Sequence, residues 1–181
     1  MRSNRLKETW ILEEKRVDDI DRRIIAALQR DGRMTLAELS AQVGLSPTPC
    51  ARRVARLEED GVITGYGARV DQARLGLPIS IFVAVELERQ SREAVEAFER
   101  AVAGCEDVME CYLMTGSRDI LLRVVAEDLT AFDRFLEERL MRVPGIRTMR
   151  SSFTLRTMVR RQVLPGLDPA GVQATQAREG H

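Results

Sequence analysis

The 181-residue sequence predicts an α+β protein with two small domains, one built from helices and one with a βαββαβ order. Two observations support this prediction. Residues 18–61 show helical periodicity broken by glycines, and residues 79–161 alternate strand-like with helix-like segments. We therefore divide the chain into an N-terminal extension (1–17), a helical domain (18–66), a linker (67–78), a mixed domain (79–161) and a flexible tail poor in apolar residues (162–181).

The composition narrows the possible classes of function. Lys and Arg together number 28, as do Asp and Glu, so any nucleic-acid contact must come from local segregation of charge. The single histidine, His181, is the last residue, which argues against Ser-His-Asp triads and His-rich metal sites. The three cysteines lack the CxxC spacing of zinc sites. We expect no catalytic residues, no metal and no cofactor.

The sequence also predicts where in the cell the protein is located. No apolar run approaches the roughly 18 residues of a membrane span. Residues 1–17 mix charges throughout and lack the apolar core of a signal peptide. These features predict a soluble, cytoplasmic protein. Within the extension, Leu6, Trp10 and Val17 fall on roughly one helical face, so this segment is either a short helix or a frayed arm.

The first domain contains start and stop signals for three helices. The expected N-caps are Asp18, Thr35 and Ser46, and the glycines that end the helices are Gly32, Gly44 and Gly61. Thr35 and Glu38 have the spacing of a capping box. Cys50, Val54 and Leu57 line one face of the third helix, which predicts that Cys50 is a small core residue. Two short helices joined by a glycine turn, after a preceding helix, form a helix-turn-helix arrangement.

The third helix carries the residues that we expect to contact DNA. Arg52, Arg53 and Arg56 are unopposed by acidic residues until the last turn, which predicts a local positive surface for phosphates. Thr48 and Pro49 lie in the N-terminal turn, the part that normally meets base edges. A solvated helix face is the alternative interpretation. The candidate DNA-binding residues are Ser46, Thr48, Pro49, Arg52, Arg53 and Arg56.

A short extended stretch, 62–66, follows the third helix. It either packs beside the helices as a wing, giving a winged-type helix-turn-helix, or pairs with the same stretch of a second chain. Either arrangement would place Tyr66 near the junction between the two domains.

The second domain shows the order strand, helix, strand, strand, helix, strand. We expect strands at 78–87, 108–114, 120–126 and 146–161, and helices from the N-cap Ser91 to a stop at Gly104 and over 129–143. This order is the ferredoxin-like arrangement, an antiparallel sheet with both helices on one face. Apolar residues on the uncovered face would favour self-association.

The stretch 18–66 closely resembles the Lrp/AsnC family of bacterial transcription regulators. The matching residues are Asp18, Asp21, Ile24 and Ile25, the turn 43–50 (VGLSPTPC), Arg53, Val54, Leu57, Glu58, 61–63 and 65–66. The resemblance continues through Arg161. It implies a sequence-specific DNA-binding regulator of transcription, controlled by an amino acid or related small metabolite, that forms homodimers and assembles further, often into octamers.

The same resemblance implies an effector site at the turn between the second and third strands. Family members commonly show a Gly-x-x-Asp pattern there, which corresponds to Gly116 and Asp119. A glycine allows close approach of backbone to a ligand, and an aspartate can accept hydrogen bonds from an ammonium group. A tight hairpin turn is the alternative interpretation. The candidate effector-binding residues are Met114, Thr115, Gly116, Ser117, Arg118 and Asp119.

Two other functions fit the same layout. Siroheme decarboxylases resemble it and are thought to rely on histidine and basic residues, but the only histidine here lies in the tail. A metabolite sensor that no longer binds DNA also fits, although the intact segment 46–56 argues against it.

Overall fold

The computed structural model describes residues 17–167, so the predicted N-terminal helix and residues 168–181 of the predicted tail lie outside the described residues. Within that range the chain forms two compact units. The first comprises residues 17–68 and 159–167, and the second comprises residues 69–158. None of the helices in the described range is long and apolar enough to cross a membrane.

The first unit contains the three predicted helices. They are α1 (Asp19–Arg30), α2 (Leu36–Val43) and α3 (Pro47–Glu59). Asp18 caps α1, and its side chain exchanges capping hydrogen bonds with Asp21. Thr35 and Glu38 form the predicted capping box of α2, and Gly44 ends it in the left-handed conformation, at φ 75°. The predicted start of α1 and both predicted ends of α2 are confirmed, whereas α1 ends at Arg30 with Asp31, not Gly32, as its C-cap.

The core of the first unit lies where the three helices meet. It is formed by buried apolar residues from all three helices: Ile24, Ala27, Leu39, Val43, Cys50 and Leu57. Cys50 is therefore a core residue, as predicted, and burial raises the pKa of its thiol. Ser46 is the N-cap of α3, but its side chain makes no capping hydrogen bond.

Two segments after α3 differ from expectation. The predicted extended stretch, residues 62–66, forms no strand with the described part of its own chain, and its pairing with a second chain stays a prediction; the N–H groups of Val62 and Ile63 donate to the Leu57 carbonyl, at 2.9 and 3.0 Å. Residues 159–167 belong to the first unit, where the Leu164 N–H donates to Gln29 Oε1 (3.1 Å) and Leu167 is buried. The start of the predicted tail is therefore attached, because a buried leucine and a hydrogen bond to the Gln29 side chain hold it.

The second unit begins within the segment predicted as a linker. A short 3-10 turn, Ala73–Leu75, precedes the first strand. The Gln72 side-chain amide donates to the Ile79 carbonyl (3.3 Å) and to Ser80 Oγ (3.1 Å). These hydrogen bonds tie residues 69–78 to the start of the sheet, so this stretch is part of a folded unit.

The second unit has the predicted ferredoxin-like order. Its elements are β1 (Ile79–Leu87), α4 (Arg92–Val102), β2 (Val108–Leu113), β3 (Ile120–Ala126), α5 (Leu129–Glu138), a 3-10 turn (Leu140–Arg142) and β4 (Ile146–Phe153). The strands lie in the order β2-β3-β1-β4, and every neighbouring pair is antiparallel. The α+β fold class is confirmed.

Two elements are shorter than predicted. The last strand ends at Phe153 instead of Arg161, because Phe153 already pairs with Ile81, close to the start of β1. One further hydrogen bond, from the Thr154 N–H to the Ser80 carbonyl at 2.9 Å, follows before β1 begins at Ile79. The helix α5 ends at Glu138 instead of Val143, because the chain tightens into the 3-10 turn that buries Leu140.

The two faces of the sheet differ in chemistry. The inner face packs against the helices through alternating residues of β1 and β3: Ile81, Val83, Val85, Leu87, Ile120, Leu122 and Val124. On the outer face, Phe82 is 37% exposed and pairs in register with Arg123, and Tyr112 pairs with Leu121. Arg123 also forms an ion pair with Glu110, at 3.2 Å. The outer face is therefore partly apolar and partly charged.

Candidate functional site

The N-terminal turn of α3 presents the predicted DNA-binding residues to solvent. Ser46 and Thr48 are exposed and Pro49 is half-buried, one turn before the exposed Arg52. The Ser46 hydroxyl is not used in a capping bond. Within residues 17–167, Arg52 forms no ion pair. This end of α3 therefore offers two hydroxyl groups, a proline ring and one cation to a ligand.

Arg53 and Arg56 are bound by carboxylates of the first helix. Arg53 Nη1 lies 2.6 Å from Asp18 Oδ2 and 2.8 Å from Asp21 Oδ1, and Arg56 Nη2 pairs with Asp21 Oδ2. Asp21 is fully buried. The expectation that the three arginines are unopposed is wrong for Arg53 and Arg56, because the fold brings α1 against α3.

This cluster affects the protonation of its members. Partial burial acts to raise the pKa of the Asp18 carboxyl, but hydrogen bonds from the Asp21 N–H and from Arg53 outweigh it, and the pKa is lowered. The hydrogen bonds to Asp18 and Asp21 raise the pKa of the Arg53 guanidinium. The ionised forms of both groups are therefore favoured.

The turn between β2 and β3 has the expected tight geometry. Gly116 has φ 118°, a conformation that favours glycine. The Met114 N–H donates to the Asp119 carbonyl (2.8 Å), and the Asp119 N–H donates to the Val85 carbonyl (3.0 Å). The turn is thus closed and attached to β1.

The Asp119 side chain is buried and bound within the chain. Its Oδ2 accepts from the Leu87 N–H at 2.8 Å, and its Oδ1 accepts from the Gln90 side chain at 2.7 Å. Both oxygens therefore connect the β2–β3 turn to the segment between β1 and α4. The structure gives Asp119 a role in shaping this region.

A cavity of about 490 Å³ lies beside this turn. Its walls are formed by Leu87, Gln90, Ser91, Arg92, Val95, Glu96, Leu113, Met114 and Asp119. Two of the six predicted effector-binding residues, Met114 and Asp119, are among them. Thr115, Gly116, Ser117 and Arg118 are not, and Arg118 instead pairs with Glu86 at 2.8 Å.

Most of the cavity wall was missed by sequence reasoning. It comes from the end of β1 and the first turns of α4, which are 23 or more positions before Asp119 in the chain. One signal was available, since Ser91 was recognised as an N-cap; its side chain accepts from the Ala94 N–H at 3.3 Å. The first turn of a helix has free N–H groups and a positive dipole end, which suit a carboxylate.

The lining combines apolar and charged groups. Val95, Leu113 and Met114 supply apolar surface, while Arg92 and Glu96 form a long ion pair of 3.8 Å. Such a combination suits a small molecule with both charges and an apolar part. Over residues 17–167, no cluster of three or more His, Cys, Asp or Glu side chains could hold a metal ion.

A helix-turn-helix unit followed by a unit with a polar–apolar cavity defines the class of ligand-responsive transcription regulators. Family models agree with this division. Residues 17–64 match the winged helix-turn-helix DNA-binding model, and residues 80–164 match the Lrp/AsnC ligand binding domain.

Whole-chain comparisons give the same result. The chain is 43% identical to the Bkd operon transcriptional regulator of Pseudomonas aeruginosa, over 82% of this chain and 97% of that protein. It is 42% identical to the leucine-responsive regulatory protein of Escherichia coli, over 76% and 84% of the two chains. The solved complex of a Neisseria meningitidis transcriptional regulator with L-Met matches with a TM-score of 0.78 and 34% identity. The match covers 83% of this chain and 97% of that chain. The chain belongs to the Lrp/AsnC family of transcription regulators.

Proposed function

We propose that this regulator reads DNA with the N-terminal turn of α3 and that its response is set by an amino acid held in the cavity beside the β2–β3 turn. The observation that carries the DNA part is the exposed end of α3, where Ser46, Thr48, Pro49 and Arg52 stand together. Hydroxyl groups hydrogen-bond base edges or phosphates, and an arginine without an ion-pair partner attracts phosphate. Arg53 and Arg56 border this surface.

The cavity supports an α-amino acid as the effector. The first turn of α4 and Arg92 suit the ligand carboxylate, Glu96 suits its ammonium group, and Leu113 with its apolar neighbours suits its side chain. The names of two relatives, one leucine-responsive and one bound to L-Met, favour the same class of ligand. Asp119 holds the wall in place through Leu87 and Gln90.

The proposed assembly is a homodimer that associates further, up to an octamer. The outer face of the sheet supports it, since Phe82, Tyr112 and Leu121 are left uncovered by the helices of their own chain. We further propose that the protein works in the cytoplasm, where it reaches DNA, and that it is not an enzyme, in keeping with relatives that are transcription regulators.

The DNA-binding part is tested by titrating the protein onto labelled DNA from upstream of its own gene and onto scrambled DNA. We expect tighter binding to the upstream DNA, with an affinity that falls as salt rises. Arg52→Gln should weaken binding to both DNAs, because it removes a phosphate contact. Arg74→Gln is the matched control, since Arg74 is 87% exposed in the other unit. Equal binding of both DNAs by the parent protein would contradict the proposal.

The effector part is tested by calorimetric titration with the standard amino acids. Leu113→Trp should abolish binding of the responsive amino acid, because Leu113 is a 67% exposed residue of the cavity wall and the larger ring fills the space. Leu129→Trp is the control, since Leu129 is a 60% exposed leucine on α5 and does not line the cavity. Unchanged binding in Leu113→Trp would place the effector elsewhere.

A further inference from the structure

We propose that Asp21 is a positioning residue for DNA binding: its buried carboxylate holds Arg53 and Arg56, which orient α3 instead of contacting phosphates as independent cations. This inference rests on the proposed DNA-binding function of α3. It divides the basic residues of α3 into one that meets DNA, Arg52, and two that fix the helix.

The burial of Asp21 is the first step of the argument. Its side chain is 0% exposed, although it is ionisable and lies in the first turn of α1. A buried carboxylate without partners is strongly unfavourable, and removing one partner of a buried ion pair is costly. The side chain must therefore keep its cations, and the fold supplies them from α3.

The hydrogen bonds of Asp21 use both of its oxygens. Oδ1 accepts from Arg53 Nη1 at 2.8 Å, while Oδ2 accepts from Arg56 and from the Asp18 N–H, the latter at 3.1 Å. Arg53 and Arg56 are one turn apart on α3 and bind the same carboxylate. This carboxylate belongs to Asp21 of α1, which precedes the two arginines by 32 and 35 positions in the chain. Two contacts on successive positions of one helix face restrict its rotation about its own axis as well as its distance from α1.

The charges of the cluster cancel. Asp18 and Asp21 carry two negative charges, and Arg53 and Arg56 carry two positive charges within hydrogen-bonding distance of them. Their guanidinium groups are only partly accessible, with side chains 28% and 39% exposed. A cluster with no net charge attracts phosphates weakly, because the attraction grows with the number of phosphates whose charge the protein neutralises. Arg52, by contrast, is exposed and forms no ion pair within the described part of the chain.

The salt dependence of DNA binding separates these roles. A plot of log K against log salt concentration has a negative slope, and loss of one phosphate contact makes this slope shallower by about 0.9. Loss of orientation lowers the affinity without changing the slope. We would measure both quantities for the parent protein, Arg52→Gln, Arg56→Gln, Asp21→Asn and the Asp21→Asn/Arg56→Gln double variant. Each protein is titrated onto upstream and scrambled DNA, after its thermal unfolding midpoint shows that it is folded at the assay temperature.

We expect Arg52→Gln to make the negative slope shallower by about 0.9. Arg56→Gln should keep the parent slope and lose about tenfold in affinity for upstream DNA, the equivalent of one charge-assisted hydrogen bond, with a smaller loss on scrambled DNA. The loss caused by Arg56→Gln should shrink in the Asp21→Asn background, because the two side chains act through one contact.

A slope reduction of about 0.9 in Arg56→Gln, equal in both backgrounds, would overturn the inference, because it would show an independent phosphate contact. If Asp21→Asn does not fold, the salt dependence of Arg56→Gln alone tests the inference: an unchanged slope supports it, and a slope shallower by about 0.9 contradicts it. Failure of the proposed function looks different: the parent protein itself would not prefer upstream DNA, and the inference would then fall with it.

Discussion

At the scale of single residues, the contact between Tyr66 and Glu58 shows how the chain is held after the recognition helix. The Tyr66 hydroxyl donates to Glu58 Oε1 at 2.8 Å. Burial, this hydrogen bond and the charge of Glu58 raise the pKa of Tyr66 from 10.0 to about 12. The stretch that forms no strand is thereby attached to the last turn of α3 by a side chain.

This contact predicts a pH dependence at alkaline pH. Because the folded pKa of Tyr66 lies above the unfolded value, the folded state keeps a proton that the unfolded state loses, and the free energy of unfolding should fall between pH 10 and about 12. Absorbance titration of the two tyrosines should show both ionising late in the parent protein, because a hydrogen bond to Glu110 also raises the pKa of Tyr112. Glu58→Gln should shift the Tyr66 component to lower pH, and Tyr66→Phe should remove that component and leave the one from Tyr112. A titration curve that Glu58→Gln leaves unchanged would contradict the assignment.

At the scale of secondary-structure elements, the helix caps differ in what their side chains do. Thr35 and Glu38 exchange hydrogen bonds at the start of α2, with the Thr35 N–H 2.8 Å from Glu38 Oε2 and the Glu38 N–H 3.3 Å from Thr35 Oγ1. Ser46 has the same position at the start of α3 without such a bond. A favourable N-cap residue type therefore serves stability in one helix and leaves a free hydroxyl in the next.

We expect Thr35→Ala to lower the free energy of unfolding of the first unit by about 1 kcal/mol, the usual value of an N-cap hydrogen bond. Ser46→Ala should change it much less, because no capping bond is lost, while weakening DNA binding. Urea unfolding followed by circular dichroism measures both variants. Equal losses of stability would show that Ser46 caps α3 in solution.

At the scale of the whole molecule, the outer face of the sheet is the surface that we propose for self-association. It combines the partly exposed ring of Phe82 with ion pairs, including Glu86 with Arg118 at 2.8 Å and with Arg147 at 3.2 Å. An apolar centre with charged groups around it is a common composition for a protein interface.

Phe82→Glu should shift the protein toward monomers in analytical ultracentrifugation, because it places a charge in the apolar centre of the proposed interface. The control is Thr130→Glu, which adds the same charge at an exposed position of α5. If Phe82→Glu sediments as the parent protein does, the chains associate through another surface.

Local sequence determined the order of the elements and most of their ends. The caps Asp18 and Thr35, the glycine after α2 and the period-2 pattern of Ile81, Val83 and Val85 act within a few residues, so a single sequence shows them. The family resemblance added the functional class, and the comparisons confirmed it.

Only the tertiary structure decided how distant residues are used. Asp21 neutralises Arg53 and Arg56 because α1 packs against α3, and Asp119 binds Gln90 because β3 lies beside β1. The length of β4 depends on where β1 begins, and the cavity depends on α4 meeting the β2–β3 turn. Asp21 and Asp119 each lie more than 20 positions from these side-chain partners, and no local propensity or periodicity encodes such a pairing.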